Sequence, residues 1–413
     1  MNDGWDTAPP NDFGPISGPS LSYAFNLAKV PDQGEDSDPI VRDGPDLGLI
    51  GVFDGMGGAG GTVYETPDGP RTGAYLASRV ARDVVERRML DLLEPDWNLN
   101  GEAAAEDIRR SVKKALEERL TELKAPPSRL RSKLLRALPT TMAVIALQRK
   151  RRADSTWSGH VFWAGDSRAY AFTPSGAHQL STDDLRDPGD AMANLHHDSV
   201  VSNAMSADTE FRVGYRRVEL KAPFLLVCAT DGCFGYVPTP MHFEHLVLKA
   251  LAGARSTQAW SEAVQAEISA VTGDDAAMAV MGVGADLAEF QTLLAPRLAT
   301  LEEDFIGPLD QLRRAVQEAE RTLQAARQHE QNQTAALWGR YQPDYERHLR
   351  PPVTDGEPRD DADADVDGPE AEDVRTPVDG HADGVEERPD EAEQPEADAP
   401  TTESSLDRPA EVV

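Results

Sequence analysis

Apolar residues along this chain fall into short unbroken runs over its first two thirds and into a helical rhythm between and after them. The stretches "SYAFNLAKV", "LGLIGVF", "TTMAVIAL", "HVFWAG", "RAYAF", "PFLLVCAT" and "AAMAVMGVG" are apolar or β-branched, and several are followed at once by Gly or Asp. Runs of this length, cut by turn residues, predict strands. Between the second and third runs the spacing changes. Tyr75, Leu76, Val80, Val84 and Leu90 recur near a 3.6 period, as do Ile108, Val112, Leu116 and Leu120, and "APPSRL" closes the pair. A last helix is predicted around "AWSEAVQAEISAV". Strands and helices do not alternate one for one, so parallel βαβ winding is disfavoured. The order predicts an α+β fold, a sandwich of sheets with helices outside.

Four segments follow from these shifts in texture: an irregular lead-in over 1–20, a domain over 21–285, a helical extension over 286–347 and a tail over 348–413. In the extension Leu309, Leu312, Val316, Ala319, Leu323 and Ala326 follow steps of three and four. One helix face is therefore apolar, suited either to docking on the preceding domain or to a coiled-coil partner. The tail is almost all Asp, Glu, Pro, Ala and Gly, which bury too little apolar surface to offset ordering, and is expected to be disordered.

Charge sharpens this division. Of a net −31, residues 351–413 carry 22 acids and 4 Arg, so the acidity is largely a property of the tail. Binding of a nucleic-acid backbone, which needs clustered Lys and Arg, is excluded as an expectation, and a basic partner for the tail fits better. Two cysteines, Cys228 and Cys233, leave no disulfide framework. Cys228 is expected to be buried in its strand, and Cys233 to lie close to the proposed site without an activating base. The first residues show neither a basic region nor an apolar core, so no signal peptide is read there, and no run approaches the ~20 apolar residues of a membrane span. A cytoplasmic protein is expected.

The acids at strand ends carry the chemistry. Asp54 follows "LIGVF", Asp166 follows "HVFWAG", Asp231 follows "FLLVCAT" and Asp274 precedes "DAAMAVMGVG". In a sandwich whose strand ends converge, these carboxylates gather at one rim and repel unless a cation sits among them. With only oxygen donors, a hard ion such as Mg²⁺ or Mn²⁺ is favoured over Zn²⁺. Two such ions could support metal-assisted hydrolysis of a phosphate ester. The "GMGGAGG" run lacks the Lys and spacing of a phosphate-cradling P-loop. His196, His197, His242 and His245 have no third ligand near them in sequence to make a zinc site.

"FDGMGG" (53–58), "TTMAVIAL" (140–147), "AGDSRAYAF" (164–172), "ATDGCF" (229–234) and "GDDAAMAVM" (273–281) resemble, in order, the motifs of the bacterial metal-dependent protein phosphatase 2C family over about residues 20–285. The resemblance implies a central β-sandwich of two mostly antiparallel sheets flanked by helix pairs. It also implies hydrolysis of phosphoserine and phosphothreonine by a hydroxide activated between two Mn²⁺ or Mg²⁺ ions. Carried over by position, Asp54 would bridge the metals and orient that hydroxide. The carbonyl of Gly55, Asp231, Asp274 and Asp36 would be further ligands, and Glu35 a water-mediated acid behind them. Asp166 and Asp183 would hold a weaker third ion. The implied partners are a phosphoprotein substrate and a cognate serine/threonine kinase, and residues 185–208 would form a substrate-selecting flap.

The sequence departs from the family at defined places. Pro31 stands where the family carries a phosphate-anchoring Arg, leaving Lys29 as a weak phosphate ligand. Gly235 stands where another Asp is usual, thinning the third site, while Asp275 and Asp184 replace an Asn and a His. Met56 supplies no general acid, so the leaving group would be protonated through water. The departures raise an alternative: a degenerate phosphatase that binds a phosphoprotein or regulatory partner with little turnover.

Overall fold

The computed structural model describes residues 19–93, 99–123, 136–149, 155–196 and 200–349. The chain divides into two compact units, Met1–Thr334 and Ala335–Val413. "APPSRL", the lead-in up to residue 18 and the acidic tail from residue 350 lie outside the described residues.

The elements run β1 (Pro19–Leu27), β2 (Ile40–Asp43), β3 (Leu47–Val52), α1 (Gly57–Gly60), β4 (Val63–Thr66), β5 (Gly69–Thr72), α2 (Gly73–Leu92) and α3 (Gly101–Glu122). There follow β6 (Met142–Arg149), β7 (Thr156–Ala164), β8 (Arg168–Thr173), β9 (Gly176–Gln179), α4 (Ala193–His196), β10 (Gly214–Lys221), β11 (Phe224–Ala229), α5 (Asp231–Phe234), α6 (Pro240–Gly253) and α7 (Thr257–Ser269). The last are β12 (Ala276–Val283), α8 (Leu287–Thr300), a π-helical turn (Leu301–Ile306) and α9 (Gly307–Tyr345). Two five-stranded sheets, β1-β12-β11-β8-β9 and β10-β7-β6-β3-β2, pair antiparallel throughout, and β4 and β5 form a separate hairpin.

Residue alternation shows how the layers stack. On β6, Ala143, Ile145 and Leu147 join a core with Cys228 of β11 and Ala277 of β12, between the sheets. Met142, Val144 and Ala146 point the other way, onto Ala81 and Val85 of α2 and Ile108, Val112 and Leu116 of α3. On β11, Leu225, Val227 and Ala229 face Val247 of α6, Trp260 of α7 and Phe290 of α8. The central strands are covered on both faces, so period-two alternation is replaced by continuous apolar runs. This is the expected α+β sandwich flanked by helices, with Cys228 buried within it.

The structure adjusts several elements. In α2 the fully buried face is Ala77, Ala81, Val85 and Met89, one step round from the spaced larger residues, and Leu90 is exposed. Small side chains let the helix lie close on the sheet. The strands β2, β4, β5, β9 and β10 were not read from the sequence. In β10 the run "GYRRVELK" leaves Arg216, Arg217, Glu219 and Lys221 open to solvent or only partly covered, as an edge strand allows. The helical extension behaves as two different pieces. Phe290 and Leu294 of α8, with Leu301 and Ile306 of the π turn, are buried on the domain. Along α9 no residue is buried, and Leu312, Val316 and Leu323 are more than half exposed. Docking of this stripe on the domain is therefore not what the structure holds. In the second unit, Trp338, Tyr341 and Tyr345 cluster on one helix face with ring centroids 5.7–6.3 Å apart. No described helix is long and apolar enough to cross a membrane.

Candidate metal centre

Antiparallel register sends the C-terminal ends of β3, β7 and β11 and the N-terminal end of β12 to the same rim, where the β1–β2 connection also passes. The predicted acids arrive there from both sheets: Asp54 after β3, Asp166 after β7, Asp231 after β11, Asp274 before β12 and Asp36 from the connection. Asp36 is buried, Asp54, Asp166 and Asp231 are partly so, and Asp274 is exposed.

Asp36 and the main chain at Asp54 are held by short polar braces. Thr230 Oγ1 donates to Asp36 Oδ2 at 2.8 Å and accepts from the Ala277 amide at 2.8 Å, tying the acid to both β11 and β12. The main-chain carbonyl of Asp54 accepts from Thr140 Oγ1 at 2.6 Å and the Thr141 amide at 2.8 Å, so the start of β6 fixes the exit from β3. Gly55 and Gly232 are required by close backbone, whereas Gly57 faces only the movable end of the Glu35 side chain. A Cβ on Gly55 would stand 2.6 Å from the carbonyl oxygens of both Ala74 and Glu35, one on Gly57 would stand 2.0 Å from Glu35 Oε2, and one on Gly232 1.8 Å from the Asp275 carbonyl.

Electrostatically the rim is strongly repulsive, and the charge of Arg168 relieves Asp166 only in part. Asp54 is pushed well above the usual carboxylate range by burial and then by the charges of Asp36, Asp231 and Asp166. Asp231 is raised likewise by burial, then Asp166, Asp36 and Asp274. Burial raises Asp36 to about 7 and Asp166 to about 6. Asp36 and Asp54 perturb one another directly, and a shared proton or a cation in its place would relieve their repulsion. Among the described residues no Lys or Arg forms an ion pair with Asp36, Asp54, Asp166, Asp231 or Asp274, and Asp166 Oδ1 is buried without a hydrogen-bond partner.

These observations test the fit of a hard divalent cation. The donors are all oxygen, they repel one another, and one buried lone pair is unmet, so the chemistry fits Mg²⁺ or Mn²⁺. Among the described residues no three such side chains close on one point, so ligation requires the carboxylates to draw inward.

Other predicted residues occupy different surroundings. Asp183 is buried, and its two oxygens take a bidentate pair from Arg168 at 3.0 and 2.6 Å, with Gln179 and Asn194 adding bonds at 3.0 and 2.9 Å. Its lone pairs are committed, which sets it apart from Asp166 and argues against the third-ion role expected for it. Glu35 is half-buried, accepts from Thr72 Oγ1 at 2.6 Å, and is raised by burial. Lys29 is exposed, with its ammonium on the Gly273 carbonyl and its amide on Asp275 Oδ1 at 2.8 Å. Asp275 Oδ2 also accepts the Glu35 amide at 2.6 Å, so this acid clamps the 29–35 loop. Asp184 does not add free charge, since Arg212, Asn203 and the Gly165 amide all donate to it.

Sequence reasoning missed Arg79. From α2 its guanidinium reaches the carbonyls of Gly34, Glu35 and Asp36 at 3.1, 3.2 and 3.0 Å while lying 3.4 Å from the Tyr75 ring centroid. It holds the backbone that carries Asp36 through three carbonyls more than forty residues away, a relation no local spacing records.

No protein-family model matches this chain, and no curated protein matches it. Among solved structures it is similar to the serine/threonine phosphatase PstP/Ppp of Mycobacterium tuberculosis, with 17% identity and a TM-score of 0.45 over 65% of this chain and 100% of that one. The catalytic domain of PstP in complex with two manganese ions gives 15%, 0.43, 65% and 100%. PppA, a regulatory component of the type VI secretion system in Pseudomonas aeruginosa, gives 16%, 0.43, 65% and 99%.

Proposed function

We propose that this chain is a metal-dependent phosphoric monoester hydrolase acting on phosphoserine and phosphothreonine in proteins. The observation that carries the reading is the rim of Asp36, Asp54, Asp166 and Asp231, brought from both sheets and, among the described residues, without an ion pair. Asp36, Asp54, Asp231 and the Gly55 carbonyl would hold two ions, Asp274 would join from the rim, and Asp166 would hold a weaker third. Bound Mn²⁺ or Mg²⁺ would supply Lewis-acid activation of water and withdraw charge from the phosphoryl oxygens.

The protein's own contribution is orientation. Thr230 sets the rotamer of Asp36, Thr140 and Thr141 fix the main chain at Asp54, and Arg79 and Asp275 hold the loop between them. The turn at Gly58 is uncrowded, since a Cβ there would meet nothing within 4 Å. The substrate class, the opposing serine/threonine kinase, a cytoplasmic setting and a basic partner for the tail belong to the same reading.

The test is hydrolysis of p-nitrophenyl phosphate and of phosphothreonine peptides with Mn²⁺ and with a chelator. Turnover should require the metal and fall to the uncatalysed rate in Asp54→Ala, and unaltered turnover in that variant would overturn the mechanism. Mn²⁺ binding with no turnover on any phosphopeptide would instead favour the binding-module reading.

A further inference from the structure

An anion brought to a rim of four carboxylates needs a cation whose donors are open, and the neighbouring cations differ in this respect. Lys29 places its ammonium on the Gly273 carbonyl. Arg79 spends both terminal nitrogens on the backbone of 34–36 and on Tyr75. Arg168 is bound bidentately by Asp183 in the interior. Arg71, on β5, is otherwise placed. Its Nη1 donates to the Asp32 carbonyl at 2.6 Å, its guanidinium lies 4.4 Å from the Tyr75 ring centroid, and among the described residues Nη2 and Nε have no hydrogen-bond partner and no carboxylate pairs with it.

Its neighbours in sequence touch the site directly. Thr72 Oγ1 donates to Glu35 Oε1, and the Ala74 carbonyl lies against Gly55. Tyr75 is contacted by the guanidiniums of both Arg71 and Arg79, so one arginine secures the ring and loop while the other keeps its fork half open.

Resting on the phosphatase reading above, we infer that Arg71 of the β4–β5 hairpin is the phosphate-binding cation of this site, taking the substrate phosphoryl oxygens with its unengaged Nη2 and Nε. A fork suits two oxygens of a phosphate as an ammonium does not. Anchoring therefore comes from the hairpin that follows α1, not from the Lys29–Asp36 segment.

The experiment uses the full chain with Arg71→Ala and Arg71→Lys, each checked for an unchanged circular dichroism spectrum. Binding of inorganic phosphate to the Mg²⁺-loaded protein is measured by calorimetry beside steady-state kinetics with Mn²⁺. Arg71→Ala should weaken phosphate binding and raise KM by about tenfold or more, with kcat changed less than about threefold and affinity for the metal unchanged. Arg71→Lys should fall between. Phosphate affinity within about twofold of wild type, or an equal loss of metal affinity through the Asp32 loop, would overturn the inference. A wild-type protein that binds phosphate through Arg71 but turns over nothing would sink the enzymatic reading alone. One that binds no phosphate would sink the Arg71 assignment.

Discussion

Two groups of enclosed carboxylates lie beside each other in this protein and differ in how their charge is met. Asp183 and Asp184 are buried, yet Arg168, Gln179 and Asn194 saturate the first and Arg212, Asn203 and the Gly165 amide the second. Asp36 and the main chain at Asp54 are given threonine braces, and Asp36, Asp54, Asp166 and Asp231 have one another's company, but among the described residues none of the four forms an ion pair. Burial alone does not separate structural acids from acids kept for a ligand. The distinction is whether the fold has already supplied the counter-charge, since an acid whose lone pairs are taken has little left for an ion.

That comparison can be broken by exchanging the roles. Asp183→Ala strands the Arg168 guanidinium in the interior and should lower stability by about 3–5 kcal/mol in urea unfolding, with Mn²⁺ affinity little changed. A stable Asp183→Ala protein that no longer binds Mn²⁺ would place this acid with the ligands instead. Gly232→Ala tests the seat of Asp231: a Cβ 1.8 Å from the Asp275 carbonyl must displace backbone, and a loss of about 2–3 kcal/mol with weaker metal binding is expected. Asp231→Asn should act in the opposite direction in the metal-free protein. Removing one of several repelling charges should raise its stability by about 1–2 kcal/mol while abolishing the stabilisation that Mn²⁺ gives the wild type.

The smallest effect lies away from both groups and sets the background acid response. His160, buried on β7 with its ring nitrogen 2.9 Å from the Tyr215 hydroxyl, is lowered to about 4, first by burial and then by Arg217. The unfolded chain takes up this proton near pH 6.5 and the folded one only near 4. Stability should therefore fall as pH drops through that window. His160→Gln should flatten this part of the profile, and an unchanged slope would remove His160 as its source.

Much of the sandwich was legible because its central strands are covered on both sides: "MAVIAL", "FLLVCA" and "AAMAVMGV" read as strands since every residue must be apolar. The strand-end position of Asp54, Asp166, Asp231 and Asp274 was legible for the same reason, as each ends or precedes such a run. The edge strand β10 was hidden by its charged, half-solvated surface. The braces were hidden more deeply. Arg79 serves carbonyls 43–45 residues away and Asp275 an amide 240 residues away, and neither bears a mark in its own neighbourhood. The stripe of α9 had the spacing of a packed face, yet its Leu312, Val316 and Leu323 remain in solvent, because periodicity records what a face could cover and not what meets it.

By itself, then, the order of residues determined which segments are strands, which acids terminate them, and that oxygen donors alone would gather at the rim. These are local properties, set by runs of apolar side chains and the turn residues that cut them. Tertiary structure decided which acids are neutralised: antiparallel register brings Arg168 onto Asp183 and leaves Asp54 facing Asp36. It also decided that a hairpin between α1 and α2 carries Arg71 to the 30–35 loop. Charge pairing depends on distances of a few ångströms between residues far apart in the chain, and only the packed sheets and helices set those distances.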